Sequence, residues 1–330
     1  MEDNTKKEAP GQQEPAPVES KTGGIGRRTF LGSLAFGGAL VAGSGGNASA
    51  SQDFSGWPNS YGVLTDLTLC VGCRSCEKAC NESNNLPQPG MPFDDASAFN
   101  EKRRPDAHAY TVVNRYENPK DKGTPVYRKV QCNHCKEPAC FSACPIHAYT
   151  KTPEGAVTYN PDLCFGCRYC MIACPFYVPA YDYASALEPK IVKCTMCYDT
   201  RLKYGKMTAC AEACPTGALT FGKRTDLITV ARQRIAAQPD RYIDHIYGEF
   251  EAGGTNWLYV SGVPFDQLDF PTNLPERPMI EGTKGFLSTV PLVFTIWPAL
   301  FGMMYAAVQH RDRLHDEELH SGKKKEDNHG

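Results

Sequence analysis

The amino-acid sequence predicts an α+β fold of short strands and short helices, followed by one C-terminal transmembrane helix. Three observations support this prediction. The 16 cysteines of the 330-residue chain lie in four tight groups between positions 70 and 214. Short runs of strand-forming residues lie between and after these groups. Near the C-terminus, residues 286–308 carry no charge.

The overall composition excludes several classes of protein. The 35 basic and 37 acidic residues nearly balance, and without a basic stripe this argues against a nucleic-acid partner. A mean hydropathy of −0.42 excludes a protein with many membrane spans, although it permits one. Disulfides are a first explanation for an even number of cysteines, but disulfide frameworks are typical of small domains with too little core. This chain is 41% hydrophobic, so its clustered cysteines are expected to bind metal.

Residues 1–50 are expected to form a disordered extension and an export signal. Met1–Lys21 is polar and rich in proline and glutamate, which is typical of disorder. Arg27 and Arg28 then precede a weakly apolar run that ends near Ala48-Ser49-Ala50, a small-residue cleavage site. This pattern is typical of a twin-arginine signal, which exports folded proteins. A membrane anchor is the alternative, but the apolar run is shorter than the roughly 20 residues that a span needs.

Residues 285–309 are predicted to form the transmembrane helix. At about 1.5 Å per residue, Phe286–Val308 is long enough to cross a hydrocarbon core of about 30 Å. Pro291 and Pro298 are tolerated in membrane spans, and the polar flanks argue against the alternative of a buried core helix. Basic residues are more frequent after the span than before it. This asymmetry predicts a single-pass protein of the inner (cytoplasmic) membrane, with the cysteine-rich body in the periplasm and residues 310–330 as a cytoplasmic tail.

The four cysteine groups share one spacing pattern. They read Cys70-x2-Cys73-x2-Cys76-x3-Cys80, Cys132-x2-Cys135-x4-Cys140-x3-Cys144-Pro145, Cys164-x2-Cys167-x2-Cys170-x3-Cys174-Pro175 and Cys194-x2-Cys197-x12-Cys210-x3-Cys214-Pro215. The third group matches the bacterial ferredoxin spacing at every position; there, three cysteines bind one [4Fe–4S] cluster and the fourth binds its neighbour. Because each cluster takes four thiolates, the groups supply ligands for four [4Fe–4S] clusters with no cysteine left over.

Zinc is the main alternative, because paired C-x2-C units are also typical of zinc ribbons. The fourth group alone, with 12 residues between its pairs, resembles such a site. A zinc ribbon has no use, however, for a third cysteine two or four residues further on, or for the closing Cys-x3-Cys-Pro. The complete set of groups therefore favours iron–sulfur clusters over a zinc-stabilised interaction protein.

Secondary structure between the cysteine groups is predicted from residue preference and periodicity. Ala148–Thr152 and Ala156–Tyr159 are rich in strand formers and flank a Pro/Gly turn, which predicts a hairpin. Ala218–Phe221 is predicted to be a strand, and Thr225 is expected to cap a helix that runs to about Gln238. One face of this helix is expected to be apolar, with Leu227, Ile228, Ala231 and Ile235.

The cysteine groups and their surroundings resemble the four-cluster, ferredoxin-like iron–sulfur subunits of bacterial respiratory complexes. These subunits serve hydrogenases, formate dehydrogenases and dimethyl sulfoxide reductases, and the resemblance covers roughly Tyr61–Pro271. A narrower similarity, at Ile246–Glu249, Gly253–Thr255 and Gly262–Pro264, is to the membrane-anchored iron–sulfur subunits of periplasmic [NiFe] hydrogenases of the hydrogenase-2 type. The formate dehydrogenase β-subunit is the alternative; it has a similar C-terminal span but usually lacks its own export signal. One departure from the pattern is Asn81, which follows the first group in place of proline.

The resemblance implies two ferredoxin-like modules of two [4Fe–4S] clusters each, one inserted in the other. The first and fourth cysteine groups would form the outer module, residues 51–125 and 185–280, and the other two groups the inserted module, residues 126–184. The resemblance also implies the ligands: Cys70, Cys73, Cys76 and Cys214 for cluster 1; Cys80, Cys194, Cys197 and Cys210 for cluster 2; Cys132, Cys135, Cys140 and Cys174 for cluster 3; and Cys144, Cys164, Cys167 and Cys170 for cluster 4. In such a pairing the four clusters form a row.

The motifs and the resemblance together predict an electron-transfer subunit that is not itself an enzyme. The sequence contains no catalytic triad, phosphate-binding loop or dinucleotide fingerprint. Electrons would pass between the catalytic subunits of a respiratory oxidoreductase, here a [NiFe] hydrogenase, and an integral membrane subunit that reacts with quinone. Arg74, Arg168 and Lys193 lie beside ligands and either offset cluster charge or are ordinary solvated side chains. His134 is expected beside a cluster or at the surface, and not as a ligand.

Overall fold

The computed structural model describes residues 57, 59–184 and 190–326. All of them belong to one compact unit, residues 55–330. The predicted extension and twin-arginine signal at residues 1–50 lie outside the described residues.

The described chain contains short strands and helices in mixed order. The strands are β1 (Tyr61–Asp66), β2 (Val112–Tyr116), β3 (Val126–Val130), β4 (Tyr149–Lys151), β5 (Val157–Tyr159), β6 (Ala180–Asp182), β7 (Lys190–Val192), β8 (Leu219–Lys223) and β9 (Trp257–Val260). The α-helices are α1 (Ser75–Ser83), α2 (Ala139–Ser142), α3 (Tyr169–Ala173), α4 (Ala209–Glu212), α5 (Arg224–Ala237) and α6 (Glu281–Glu326). Short 3-10 turns occur at Ala96–Phe99, Pro161–Leu163, Leu202–Tyr204, Glu251–Gly253 and Phe265–Leu268. The predicted α+β class is confirmed.

A three-stranded sheet joins the two ends of the cysteine-rich region. Its order is β8-β1-β9, with β1 antiparallel to β8 and parallel to β9. Strand β1 directly precedes the first cysteine group, and β8 directly follows the fourth. Both β1 and β9 are buried along almost their whole length, because an element covers each face of the sheet. The chain therefore leaves this sheet before the first cysteine and returns to it after the last.

Helix α5 covers one face of the sheet. Its buried residues Leu227, Ala231 and Ile235 recur at helical spacing and pack against Leu64 and Leu258. This apolar face confirms the prediction of an amphipathic helix that ends near Gln238. The predicted cap was wrong, because Lys223, not Thr225, is the N-cap residue, and Thr225 lies exposed in the first turn. Strand β8 runs into the helix without a loop, so the chain has no separate capping position at Thr225.

The opposite face of the sheet carries a large aromatic core. Tyr247, Trp257, Tyr259, Phe265 and Phe270 pack together there, and the Tyr247 and Phe270 ring centroids are 4.6 Å apart. Trp257 is 0% exposed, and its indole Nε1–H donates to Thr65 Oγ1 at 2.8 Å. Burial of both the ring and its polar group fixes the strand pair β1–β9.

Replacing Trp257 by alanine is expected to destabilise the protein by about 3–5 kcal/mol, because it opens a large cavity next to the sheet. The apparent melting temperature of the anaerobically purified protein measures this loss. Trp257→Phe is the matched control; it keeps most of the ring volume and should cost about 1 kcal/mol for the unpaired Thr65 hydroxyl. Equal melting temperatures for the alanine variant and the unmodified protein would contradict this account of the core.

The predicted hairpin is confirmed as β4–β5, with Tyr149 opposite Tyr159 and Lys151 opposite Val157. Gly155 in its turn has a φ of +107°, which favours glycine. A Cβ atom at this position would lie 2.6 Å from the Tyr61 carbonyl oxygen, so glycine also lets the turn approach β1 closely. Two further antiparallel pairs, β2–β3 and β6–β7, complete the sheets.

Helix α6 is the one described helix that is long and apolar enough to cross a membrane. The candidate span is Ser288–Glu317, and Pro291 and Pro298 lie inside the helix. Its large apolar side chains, such as Phe294 and Trp297, are exposed. The helix continues well beyond the predicted end at residue 309, because the following residues include many good helix formers. The predicted orientation across the membrane remains a prediction.

Candidate metal centres

Each cysteine group folds as a loop that leads into a short helix. The third cysteine of each group is the second residue of such a helix: Cys76 in α1, Cys140 in α2, Cys170 in α3 and Cys210 in α4. The fourth cysteine lies within α1 in the first group and just beyond the helix in the other three. The helix therefore carries the fourth sulfur away from the loop, as the x3 spacing predicts.

The loops have two backbone types. In the first and third groups, φ is positive at Gly72 and Gly166 and again two residues later. The second and fourth groups also have a positive φ directly before their second cysteine, at His134 and Met196, but not two residues later; in the fourth group φ is positive at Cys197 as well. At position 72 glycine is also required by space, because a Cβ atom would lie 2.4 Å from the Tyr127 ring. The first and third loops are thus alike, whereas the second and fourth differ from them and from each other.

Three cavities are each lined by four cysteines, three from one group and one from another. We call these sets site 1 (Cys70, Cys73, Cys76 and Cys214), site 3 (Cys132, Cys135, Cys140 and Cys174) and site 4 (Cys144, Cys164, Cys167 and Cys170). The remaining cysteines, all of them buried, form site 2 (Cys80, Cys194, Cys197 and Cys210). Burial raises the pKa of the Cys80 thiol, and the neighbouring thiols of Cys194, Cys210 and Cys197 raise it further. Electrostatic effects thus link Cys80 to the other three members of site 2.

The chemistry of these thiols fits a metal cluster. None of the sixteen cysteines forms a disulfide. Burial raises the pKa of Cys70 to about 11 and that of Cys194 to about 12. A bound cation displaces the protons of such thiols, and four cysteines around one cavity match the ligation of a [4Fe–4S] cluster. Among the described residues, no three His, Cys, Asp or Glu side chains are arranged to hold a single metal ion.

Backbone N–H groups donate to several cysteine sulfurs. Gly166 N–H donates to Cys164 Sγ at 3.4 Å, and Met196 N–H donates to Cys194 Sγ at 3.4 Å. Ala148 N–H donates to Cys144 Sγ at 3.3 Å. Hydrogen bonds to sulfur favour the thiolate and raise the reduction potential of a cluster, so these donors suit redox sites.

The three basic residues predicted beside the ligands have different surroundings. Arg74 is 3% exposed, but its guanidinium lies 3.1 Å from the Glu77 carboxylate, so its charge is paired. Arg168 is exposed and stacks over the Tyr181 ring at 4.4 Å. Lys193 is buried and lines the site 3 cavity. Of these three residues, only Lys193 thus brings an unpaired positive charge to a buried cavity.

His134 is fully buried in the loop of the second cysteine group. Its Nδ1 accepts a hydrogen bond from Val157 N–H at 2.9 Å, which places the ring proton on Nε2. Burial, together with the nearby Lys193, Lys151 and Lys129, lowers the pKa of His134. The ring is therefore neutral and packs beside the site 3 loop.

Sequence reasoning missed Lys129. It lies in β3, where a lysine in a five-residue strand is normally expected to face solvent, yet it is 2% exposed and lines the site 1 cavity. The sequence contains no signal for this burial, because the elements that cover β3 come from distant parts of the chain.

Comparison with known proteins identifies the class. Two matches to the family described as "4Fe-4S dicluster domain" cover residues 69–148 and 125–224, and together they include all four cysteine groups. These matches favour iron–sulfur clusters over zinc. The chain is therefore an iron–sulfur protein of the electron-transfer type.

Full-length relatives narrow this class to a family. A Nitratidesulfovibrio vulgaris protein is 50% identical over 290 residues, which cover 88% of this chain and 78% of the relative. The hydrogenase-2 operon protein HybA of Escherichia coli O157:H7 is 35% identical, over 75% of this chain and 84% of its own length. The formate dehydrogenase-O iron-sulfur subunit of E. coli K12 is 31% identical, over 79% and 83% respectively. The chain belongs to the family of ferredoxin-like iron–sulfur subunits of bacterial respiratory oxidoreductases.

Proposed function

We propose that this chain conducts electrons through four [4Fe–4S] clusters between a periplasmic catalytic subunit and a quinone-reactive membrane subunit, and that it catalyses no reaction of its own. The observation that carries the proposal is the division of sixteen cysteines into four sets of four. In three of these sets, the four cysteines line a cavity of their own. When bound, each cluster would accept and release one electron at a time. The protein would bind, space and cover these redox centres.

Sites 1 to 4 are proposed to hold clusters 1 to 4, with the ligands that the family resemblance implies. The cavity linings of sites 1, 3 and 4 support this assignment, as does the mutual effect of the site 2 thiols on the pKa of Cys80, which burial raises. Each helix that carries a third cysteine of one site leads to the fourth cysteine of its group, which belongs to the other site of the same proposed module. Helix α1, for example, carries Cys76 of site 1 and Cys80 of site 2 one turn apart.

The inserted arrangement of the two modules is also proposed. Strands β1 and β8, which flank the cysteine region, pair with each other and support a module built from the first and fourth groups. The second and third groups enclose their own hairpin, β4–β5.

A linear order of the sites, from 1 to 4, is supported by electrostatic effects between cysteines of neighbouring sets. Burial raises the pKa of Cys76 in site 1, and Cys210 of site 2 adds to this effect. Burial likewise raises the pKa of Cys194 in site 2, with a contribution from Cys132 of site 3. The pKa of Cys140 in site 3 is raised by burial and also by Cys170 of site 4. These effects support a row in which each site has the next one as its neighbour.

A [NiFe] hydrogenase is the proposed catalytic partner. HybA, which is named for the hydrogenase-2 operon, is 35% identical, whereas formate dehydrogenase iron–sulfur subunits are 31–32% identical. The predicted export signal of this chain favours the same choice. A formate dehydrogenase is the second candidate, because its iron–sulfur subunits align over a similar share of the chain. Helix α6 would anchor the subunit in the inner membrane, with its C-terminus in the cytoplasm.

Deletion of the gene for this chain is expected to abolish hydrogen-dependent quinone reduction in membranes. The catalytic subunits should still reduce a viologen dye with hydrogen, because the dye takes electrons without the cluster row. Both activities are measured in membranes and restored by the unmodified gene. If formate-dependent quinone reduction is lost instead, the partner is a formate dehydrogenase. Unchanged quinone reduction with either substrate would refute the proposed function.

A further inference from the structure

Lys129 is held rigidly inside the protein. Its side chain is 2% exposed, and its Nζ donates to Thr111 Oγ1 at 2.7 Å and to Gln131 Oε1 at 3.0 Å. The same nitrogen lies 4.7 Å from the centre of the Trp257 ring, which adds a favourable cation–π contact. All these partners are neutral. The ammonium group is thus fixed in one place, and none of these three partners supplies an anion to balance it.

Within the described ranges, no carboxylate forms an ion pair with Lys129. Glu77, the acidic residue next to Cys76, is bound by two arginines: Arg74 at 3.1 Å and Arg103 at 2.7 Å. A buried charge without a partner is strongly unfavourable, and proteins normally pair or neutralise it. The ammonium group of Lys129 therefore needs a negatively charged partner other than a carboxylate.

The cysteines of two sites surround this lysine. Lys129 lines the cavity of site 1 together with its four cysteines. Burial lowers the pKa of Lys129, but the thiols of Cys210, Cys76, Cys194 and Cys80 raise it more, so that the net pKa lies above the usual value for lysine. Cys76 belongs to site 1, and the other three belong to site 2. Helix α1 carries Cys80 of site 2 one turn after Cys76 of site 1, so the ammonium lies close to both sites.

A comparable residue lines a cavity of the inserted module. Lys193 is 3% exposed and lines the site 3 cavity. Its Nζ donates to the carbonyl oxygens of Val157 and Cys194, and no carboxylate among the described residues is paired with it. Each module thus has one buried lysine beside its cysteine sites. Lys193 provides an internal comparison, because it lines the cavity of site 3 and not that of site 1.

We propose that Lys129 is a fixed counter-charge shared by sites 1 and 2, and that it raises the reduction potentials of the clusters bound there. The proposal rests on the proposed function, because it assumes that both sites hold [4Fe–4S] clusters. Adding one electron to a cluster makes it more negative, and a nearby positive charge in a low-dielectric interior stabilises that reduced form. Lys129 takes no part in bond making or proton transfer. It acts only by holding a positive charge close to the two clusters.

The test is the variant Lys129→Met in the full-length protein, purified without oxygen. Methionine is unbranched and similar in length, but it has no charge. The midpoint potentials of the clusters are measured by EPR on samples poised at a series of potentials. Two of the four potentials are expected to fall, and the ratio of reduced to oxidised cluster at a fixed potential should fall at least tenfold, or about 59 mV for one electron. The other two potentials should not change.

Two matched variants make the test specific. Lys129→Arg keeps the charge and is expected to restore both potentials toward those of the unmodified protein. Lys193→Met is expected to lower the potential of the site 3 cluster and to leave that of site 1 unchanged. If Lys129→Met loses iron from two sites while Lys129→Arg keeps it, the need for positive charge is likewise supported.

Three results would overturn the proposal. They are four unchanged potentials in Lys129→Met, an equal shift of all four, or the same fall in Lys129→Arg as in Lys129→Met. Failure of the proposed function is recognised separately, because the unmodified protein would then lack about 16 iron atoms and four reducible clusters.

Discussion

Replacing Cys73 and Cys214 together by alanine is expected to remove one [4Fe–4S] cluster and to leave three. The two cysteines are 141 positions apart in the sequence numbering (214 − 73) but line the same cavity, site 1. Loss of two of four thiolates leaves too few ligands for a cluster, so the iron content should fall from about 16 to about 12 atoms per chain. Iron and sulfide analysis of anaerobically purified protein measures the change.

The matched control is the double replacement of Cys73 and Cys144. These residues lie in sites 1 and 4, so each of two clusters loses one ligand, and two of the four EPR signals should change. A sequential pairing, in which the first and second groups share clusters, predicts the reverse pattern for the two double variants. Two altered signals in the Cys73/Cys214 variant and one in the Cys73/Cys144 variant would therefore refute the inserted arrangement.

Ending the chain after Ile280 is expected to release it from the membrane almost completely. The shortened protein lacks helix α6 and thus the apolar stretch Phe286–Val308. A helix that crosses the bilayer anchors a protein in effect irreversibly, whereas the remaining body has no comparable segment among its described residues. The distribution between membrane and soluble fractions, measured after alkaline carbonate extraction, checks this prediction. The protein is expressed without partner subunits, because a membrane partner would retain it.

A longer version that ends after Glu317 is the control for this truncation. It keeps the whole candidate span, Ser288–Glu317, and should remain in the membrane. Iron content should be the same in both shortened proteins, because no cysteine lies beyond position 214. Retention of both proteins in the membrane fraction would contradict the role of α6 as the anchor.

Local features of this fold could be predicted because they depend on neighbouring residues. The hairpin β4–β5 follows from strand formers around Pro153–Gly155, and the helix at each third cysteine follows from the x3 spacing. Helix α5 was predicted from its apolar face. Its start was misplaced because the amide of Arg224 donates to the Ser60 carbonyl, a contact from a distant strand that a local capping rule does not include.

Features that depend on distant contacts could not be predicted in this way. The pairing of β1 with β9 joins residues almost two hundred positions apart, and no local pattern specifies it. The burial of Lys129 has the same origin, since Trp257 and Tyr259 of β9 cover that part of β3. Spacing alone leaves open which fourth cysteine joins each trio. The complete cysteine sets were implied only by resemblance to a family.

The exposure of the cysteines differs along the proposed row. Cys73 of site 1 and Cys167 of site 4 are exposed, whereas sites 2 and 3 contain no exposed cysteine. Dissolved oxygen attacks a cluster through the face that solvent reaches. Damage in air should therefore begin at the two terminal clusters and reach the inner pair last, so that a brief exposure yields protein disconnected from its partners while its central clusters are still intact.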